Sequence, residues 1–227
     1  MSQDPSLPSP ADLAFGRCLP LTDRLEGGKG KDTNDNGGYT VTGCIQSDLD
    51  EYNKIHGLAP SLIEKITEPI RRAIFRELYF DRAGCAFLQA PLDFILYQFA
   101  VNKYPSFAVK ELQKIVGAKA DGQISENGET VTKCANFGFQ KACLLLLNSQ
   151  LSLYVEIIRA SNSAFHAWLG AHDDLEKPHD QREFADGWLN RCINAASLAD
   201  LTWTPGPSTL AFLNQQHENF KAGIPPA

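Results

Sequence analysis

The sequence has no excess of positive charge and no long uninterrupted apolar run. Its 27 acidic residues outnumber its 21 lysines and arginines, and the net charge at pH 7 is -6. Binding to nucleic-acid phosphates requires clustered Lys and Arg, so this composition argues against that class of partner. The longest apolar run, Ala142–Leu147, is far shorter than the roughly 20 residues that cross a bilayer. Met1–Pro10 is polar and lacks the apolar segment of a secretory signal, so we expect synthesis in the cytosol and no membrane insertion.

The spacings that mark common metal and nucleophile sites are also missing. The sequence has no C-x-x-C pair, no H-E-x-x-H motif, no glycine-rich phosphate loop and no sign of a Ser-His-Asp triad. We therefore expect neither a metal nor another cofactor. We expect the five histidines to be ordinary surface or core residues: His56, His166, His172, His179 and His217.

The six cysteines are spread along the whole chain, and two interpretations of them remain open. Cysteine is among the most buried residue types, so these side chains can be small parts of a core. An even number of cysteines also allows disulfides, which would indicate an oxidising place of work. The positions are Cys18, Cys44, Cys85, Cys134, Cys143 and Cys192.

The apolar residues recur mostly with helical spacing. Ala14, Cys18, Leu21 and Leu25 form one stripe, which predicts a helix over about residues 11–26. A pair of glycines at 27–28 then provides the usual stop signal. Further helix starts are indicated by Thr67 followed by Pro69, and by the prolines at 91 and 105. These helices are predicted over residues 67–79, 91–103 and 105–116, with a long buried helix following residue 131.

A stretch rich in Gly and polar residues, Gly117–Thr130, indicates a boundary between two helical parts. The fold class predicted is therefore mainly α, with one helical domain followed by a smaller one. We expect a flexible N-terminus over residues 1–10, domains over 11–120 and 121–203, and an irregular, proline-containing tail over 204–227.

The loop behind the first predicted helix is the most informative segment for function. Glu26 ends the helix, and glycines and short polar residues follow it up to Cys44. A carboxyl group at the negative end of a helix dipole holds its proton more strongly, which suits a general acid. Glycines leave the backbone open to a bulky ligand. The alternative is an ordinary exposed acid followed by turn chemistry.

A calcium loop is a second interpretation of the same segment. Asp32–Gly37 fits the first half of the pattern D-x-[DN]-x-[DN]-G. The twelfth position of such a loop falls on Gly43, which has no carboxylate to offer the ion. Calcium binding is therefore the weaker of the two hypotheses.

An ordered series of short strings resembles glycoside hydrolase family 108, the N-acetylmuramidases. The first is Glu26–Gly28, followed by Asp35 ahead of two glycines and by Thr40 before Gly43. Further matching strings follow in the same order: Tyr79–Asp81, Phe99–Asn102, Leu112–Gln113 before Gly117, and Asp121–Gly122. The segment Phe184–Arg191 resembles the peptidoglycan-binding domain that usually follows in this family.

The resemblance implies a lysozyme-like helical fold that cleaves the β-1,4 bond between N-acetylmuramic acid and N-acetylglucosamine. Glu26 matches the family's catalytic glutamate and would protonate the leaving sugar oxygen. Asp35 is the candidate for the second carboxylate, with Asp32 behind it, and Thr40 is an alternative that would hold a water. Contacts to sugar rings and hydroxyls, or support of the core and turns, are expected from Tyr39, Tyr79, Gln98 and Asn102.

The chain departs from the family pattern at three places that bear on the groove. Gln98 stands where the family commonly has an Asp ahead of the Ala-Val-Asn string, and an amide cannot ionise. Four additional residues, Lys29–Asp32, follow the first glycines, and the residues after Gly122 differ from the usual Gly-Pro-x-Thr. These departures affect the expected groove wall and substrate preference more than the acid.

Two function classes therefore remain: a muramidase, and a non-catalytic protein that binds peptidoglycan in the same groove. A muramidase made without a signal peptide fits an endolysin, an enzyme of a toxin-export route, or an antibacterial effector that acts in the periplasm or cell wall. The cysteines favour the effector if they form disulfides. An effector would require a cognate immunity protein, which we expect to cover the groove around Glu26.

Overall fold

The computed structural model describes residues 8–25, 30–31, 39–40, 43–170, 184–205 and 207–222. Within these ranges the chain is mainly α-helical, which confirms the predicted fold class, and two short strands pair antiparallel. The strands are β1 (Gly30–Lys31) and β2 (Tyr39–Thr40). The helices are α1 (Pro10–Leu25), α2 (Gln46–His56), α3 (Glu68–Ile74), α4 (Leu92–Asn102), α5 (Pro105–Val116), α6 (Glu129–Phe137), α7 (Phe139–Gly170), α8 (Ala185–Leu198) and α9 (Pro207–Lys221).

Most of the predicted helix boundaries agree with these ranges. The helices predicted over 11–26 and 91–103 form within one residue of the expected ends, and α5 has the predicted bounds. The helix predicted over 67–79 also forms, but it is α-helical only as far as Ile74. The chain continues from Phe75 to Asp81 as a π-helical segment, a rare geometry that occurs often at functional sites.

Helix α4 is the centre of the core. Every residue from Leu92 to Ala100 is buried, including Asp93 and Gln98. A helix that is apolar on nearly all sides is stable only when other helices surround it. Here α1, α5 and α7 pack around α4, so α4 connects the first helix with helices from later in the chain.

Helix α1 packs on α4 through one apolar face. Phe15 forms edge-to-face contacts with Phe80 and Tyr97, with ring centroids 5.3 and 6.1 Å away. On the same helix, Arg17 forms an ion pair with Asp93, whose carboxylate is fully buried on α4. An aromatic cluster and one ion pair thus fix α1 against the central helix.

The segment between α5 and α6 is organised by one buried amide. The side-chain nitrogen of Gln113 lies 2.9 Å from Asp121 Oδ1 and 3.1 Å from Thr130 Oγ1, and its oxygen accepts from the backbone N–H of Gly122 at 2.8 Å. Gly122 has a φ of +81°, and a side chain there would press on the carbonyl oxygen of Ser106. The strings Leu112–Gln113 and Asp121–Gly122 therefore owe their spacing to this turn.

Helix α7 is the long buried helix that the sequence predicts. By length and composition, Phe139–Ser161 could cross a membrane, although the sequence has no uninterrupted apolar run of that length. Half of the most apolar window is buried against the rest of the molecule, which is also typical of a core helix in a globular protein.

The tail predicted to be irregular contains a helix instead. Pro207 stands at the first position of α9, where a proline is tolerated because that N–H has no partner within a helix. Leu213 of α9 is buried in the same hydrophobic cluster as Ala14 of α1. The core is thus continuous across residue 120; the division into two domains there stays a prediction.

All six cysteines are buried, and each thiol is free. The structure therefore agrees with the first interpretation: the six cysteines are core residues, and they form no disulfides. Burial raises the pKa of these thiols, in Cys134 to about 11 and in Cys44 to about 12. A thiol that stays protonated is a poor nucleophile and a poor metal ligand.

Candidate active site

The candidate site begins where α1 ends. Leu25 is the last residue of α1, and Glu26 follows it directly. Asp32 and Asp35 fall between β1 and β2. Glu26 and both aspartates lie outside the described residues, as does the calcium-loop pattern, so the sequence predictions for them stay predictions.

The short hairpin brings two other predicted residues back to this segment. Gly30 pairs with Thr40, and Lys31 pairs with Tyr39. Paired strands lie about 5 Å apart, so the backbone of Thr40 is adjacent to a glycine only four positions after Glu26. The two paired strands are thus the residues that flank the segment containing Asp35 in the sequence.

A buried arginine fixes the last turn of α1 to α3. Arg71 is only 4% exposed, and its Nη2 donates to both carboxylate oxygens of Asp23, at 3.0 and 3.1 Å. Its Nε also donates to Glu68 at 2.9 Å, and the guanidinium lies 5.0 Å from the centre of the Phe75 ring. Asp23 is three positions before Glu26, so this network anchors the helix end from which Glu26 departs.

The charge of Arg71 suits its position. Burial lowers the pKa of Arg71, but hydrogen bonds and charge attraction from Glu68 and Asp23 outweigh burial, so the pKa is raised. A cation near the C-terminal end of a helix is stabilised by the helix dipole. The network therefore pairs one permanent cation with two carboxylates beside the end of α1.

Two buried hydroxyl groups lie in the same region. Within the described part of the chain, Thr22 Oγ1 and Tyr97 OH make no hydrogen bond. Burial raises the pKa of Tyr97 well above its usual value, and the charges of Asp23 and Arg71 act on it as well. Thr22 belongs to the last turn of α1, and the ring of Tyr97 contacts Phe15 of the same helix.

A half-buried acid, Asp48, is paired with one of the predicted groove residues. Tyr79 OH donates to Asp48 Oδ1 at 2.8 Å, and Asp48 Oδ2 accepts from the backbone N–H of Ile45. Burial raises the pKa of Asp48, and these two hydrogen bonds oppose the rise. Tyr79 is only half-buried, so its ring still borders the surface while its hydroxyl is fixed.

The two remaining predicted residues, Gln98 and Asn102, both lie on α4, but they differ in how deeply they are buried. Gln98 is fully buried, and its amide nitrogen donates to Gln150 Oε1 at 2.6 Å, so its burial argues against direct contact with a sugar. Asn102 is half-buried at the end of α4, and its side chain donates to the backbone carbonyl of Gln98 at 2.8 Å. Gln98 therefore acts within the core, whereas Asn102 reaches its edge.

Sequence reasoning missed Asp48, Arg71 and Tyr97. In the sequence, Asp48 has the pattern of a helix-capping residue, and Arg71 has that of an exposed charge on a helix. Tyr97 is one aromatic residue within an apolar run. None of these local patterns indicates a function. Only the packing of α1, α3 and α4 places Arg71 and Tyr97 near one another. In the described residues, no group of three or more His, Cys, Asp or Glu side chains is arranged to hold a metal ion.

Residues 19–103 match the protein-family model described as Glycosyl hydrolase 108. The resemblance inferred from the sequence is therefore confirmed over this range. The range contains every residue predicted for the site: Glu26, Asp35, Tyr39, Thr40, Tyr79, Gln98 and Asn102.

Among solved structures, the chain is similar to SagA from Brucella abortus, with 25% sequence identity and a TM-score of 0.60. The similarity covers 88% of this chain and 95% of that one, so it extends beyond the family match into the C-terminal helices. No curated protein matches the chain.

Proposed function

We propose that residues 19–103, which match the model of the glycosyl hydrolase 108 family, form a glycoside hydrolase of the muramidase type with Glu26 as its general acid. The bond cleaved is the β-1,4 linkage between N-acetylmuramic acid and N-acetylglucosamine in peptidoglycan. The family match carries this proposal, since it includes Glu26 and the loop that follows.

The proposed role of Glu26 follows from its position after α1. The oxygen of the leaving sugar must receive a proton as the glycosidic bond breaks. A carboxyl group at the negative end of a helix retains its proton more readily, and can donate it at this moment. Anchoring of the last turn by Arg71 supports the role, because a general acid must stay within hydrogen-bond reach of the oxygen.

The partner of Glu26 is proposed on the hairpin loop. Asp35, or Asp32 behind it, would either activate a water or stabilise positive charge on the sugar ring. Thr40 is the alternative residue for holding that water. The separation between the two carboxyl groups decides between retention and inversion, and NMR of the first-formed sugar anomer distinguishes them.

Contacts to the glycan are proposed for three of the four predicted residues. Tyr39 and Tyr79 offer ring faces to sugars, and Asn102 offers an amide to hydroxyl or acetamido groups. Gln98 supports Asn102 from inside the core, since the backbone carbonyl oxygen of Gln98 accepts a hydrogen bond from the Asn102 side chain.

The test is the Glu26→Gln variant. Glutamine keeps the shape of the side chain but has no proton to donate, so we expect hydrolysis to fall by about 10²-fold or more. Release of new reducing ends from purified peptidoglycan measures the rate, and mass analysis of the products identifies the bond. Glu64→Gln changes an exposed glutamate in the family range and serves as the matched control. Full activity in Glu26→Gln would refute the assignment.

The same assay separates the enzyme from a non-catalytic peptidoglycan-binding protein. If the wild-type chain co-sediments with peptidoglycan but releases no reducing ends, the binding function replaces the catalytic one. Binding by the C-terminal helices is proposed on the resemblance of Phe184–Arg191 alone. A structural role is equally open to this segment, because Trp188 stacks on Tyr154 with ring centroids 4.8 Å apart.

The proposed place of action is the periplasm or cell wall, where peptidoglycan lies, reached by export or injection. An antibacterial effector and an endolysin both fit this setting. The disulfide argument for an effector loses its support, because all six thiols are free. An immunity protein that covers the groove around Glu26 is proposed only for the effector, and a search for a neutraliser encoded beside the gene tests it.

A further inference from the structure

An open groove of about 460 Å³ lies along α1, on the side where α3 and the π-helical segment pack. Its charged and aromatic walls are formed by Asp12, Phe15, Arg72, Arg76, Glu77 and Asp81. None of these residues belongs to the set predicted for the hydrolytic site. The groove therefore requires its own explanation.

One arginine of the groove is saturated by two carboxylates. Arg76 Nε donates to both oxygens of Asp81, at 2.7 and 2.9 Å, and Nη1 donates to Asp12 Oδ1 at 3.2 Å. Asp12 also accepts from the Ser9 hydroxyl at 2.6 Å. The hydrogen bonds from Ser9 and the charge of Arg76 lower the pKa of Asp12. Arg76 is therefore engaged by groups of this chain, and it is not the residue that would bind an anionic ligand.

The third carboxylate of the groove also has a partner. Glu77 Oε2 lies 2.7 Å from His56 Nε2. Since Asp12, Glu77 and Asp81 are each engaged, the acidic side of the groove is not an open cation site.

Arg72 differs from these residues. It is exposed, and its guanidinium carbon lies over the buried ring of Phe15, 5.0 Å from the ring centre. In the described part of the chain, no carboxylate and no hydrogen-bond acceptor pairs with it. Attraction to the ring face holds the guanidinium at this place, and the N–H groups of a guanidinium form a fork that matches a carboxylate.

We propose that this groove binds a carboxylate of the peptide stems that branch from peptidoglycan strands, and that Arg72 is the residue that contacts it. The inference rests on the proposed function and extends it from the glycan to the attached peptide. Stem peptides carry free carboxylates, whereas the amino-sugar backbone offers few, so the peptide is the part of the substrate that fits an oriented guanidinium.

The distance along α1 allows one substrate to occupy both places. Arg71 contacts Asp23 near the end of α1, and Arg72 contacts Phe15 farther back on the same helix. From Phe15 to Leu25 the helix rises about 15 Å. An extended peptide of four or five residues spans about 13–18 Å. A stem attached to a sugar at the C-terminal end of α1 is therefore long enough to reach Arg72.

The test measures binding of a free peptide, which requires no hydrolysis. The probe is an N-acetylated tetrapeptide with the composition of a stem, prepared with free carboxylates and with all carboxylates converted to amides. Calorimetry with the wild-type chain should show binding of the acid form and at least tenfold weaker binding of the amide form. Arg72→Ala should weaken binding of the acid form by roughly tenfold, and Arg72→Lys by less.

Arg82→Ala is the matched control, because it removes an exposed arginine that pairs with Glu51 outside the groove. It should bind the acid peptide like the wild type. Circular dichroism and thermal unfolding verify that each variant is folded. Equal binding by wild type and Arg72→Ala, equal binding of the two peptide forms, or no binding by the wild type would each overturn the proposal.

Hydrolysis then separates failure of this inference from failure of the proposed function. The rate on whole peptidoglycan divided by the rate on glycan strands stripped of peptides should be lower in Arg72→Ala than in the wild type. An unchanged ratio counts against the peptide site alone. Absence of cleavage of either substrate by the wild type counts against the muramidase, and leaves peptide binding to be judged by calorimetry.

Discussion

Two buried polar networks in this molecule are built from different chemistry. The network at the end of α1 is ionic: Arg71 is nearly enclosed, while its partners Asp23 and Glu68 keep 33% and 67% of their side chains exposed. The network between α4 and α7 is neutral: Gln98 and Gln150 are fully buried, and Gln150 donates to Tyr154 OH at 2.8 Å.

The difference follows from the cost of burying charge. An ion pair in the dry interior must offset the large penalty of removing two charges from water, so amides are the cheaper way to pair polar groups there. At the rim, water solvates the carboxylates while the cation stays fixed. The ionic network stands beside the segment that leads to Glu26, whereas the neutral one holds the scaffold together.

The largest effect on stability is expected from removal of the buried cation. Arg71→Met keeps the side-chain length but leaves Asp23 and Glu68 without their partner. We expect a loss of about 2–3 kcal/mol, somewhat below the usual cost of breaking a buried pair because water can reach both carboxylates. Urea unfolding followed by circular dichroism measures it.

The control for this prediction is Arg82→Met, which breaks an exposed pair with Glu51 and should cost about 0.5 kcal/mol or less. If the two variants lose equal stability, the ionic network is no stronger than a surface pair and the comparison fails.

A smaller effect is expected in the neutral network. Gln98→Leu leaves the amide of Gln150 without one partner and should cost about 1–3 kcal/mol. The double variant with Gln150→Leu should cost less than the sum of the single changes, by about 1 kcal/mol, because neither amide is then left unpaired.

Gln215→Leu is the control for the neutral network, since this exposed amide bonds only to Asn219 on the same helix among its described contacts. We expect a change within about 0.5 kcal/mol. Strict additivity of the two core substitutions would contradict the proposed pairing of the amides.

The smallest effect is expected on the pH dependence of stability, and it tests whether Asp48 titrates differently in the folded and unfolded states. Burial raises the pKa of Asp48 above its unfolded value, so the folded state binds this proton more tightly. Its contribution to stability therefore declines as the pH rises from about 3.8 through the raised pKa. Between pH 3 and pH 7, Asp48→Asn should lose less stability than the wild type, as measured by urea unfolding at each pH.

Asp50→Asn, an exposed position on the same helix, controls for the loss of one negative charge. Parallel stability curves for the wild type and Asp48→Asn would show that Asp48 does not contribute to the pH dependence. The Gln98→Leu cost should stay constant over this pH range, because no titrating group belongs to that pair.

The helical elements near the site were predictable because each depends on local pattern. The apolar stripe from Ala14 to Leu25 predicts α1, and Pro105 followed later by Gly117 marks both ends of α5. The ordered strings beginning at Glu26 predict the family. The prolines of the tail predict irregular chain, but Pro207 stands at the start of a helix, a position that composition alone does not distinguish.

The interior contacts were not predictable in the same way. Gln98 has the residue type of a sugar ligand, but packing of α7 against α4 encloses it with Gln150. Asp48 and Tyr79 are 31 positions apart, and nothing in either local sequence indicates their hydrogen bond. Burial depends on which surfaces meet, and one sequence pattern is compatible with several such arrangements.

Local sequence was enough to predict the mainly α fold, the resemblance to glycoside hydrolase family 108, and a glutamate directly after the first helix, because periodicity, stop signals and motif order are properties of neighbouring residues. Packing established that the thiols are free, that Arg71 anchors α1, and that Arg72 has no ionic partner among the described residues. These properties depend on distances between segments far apart in the chain, which packing alone establishes.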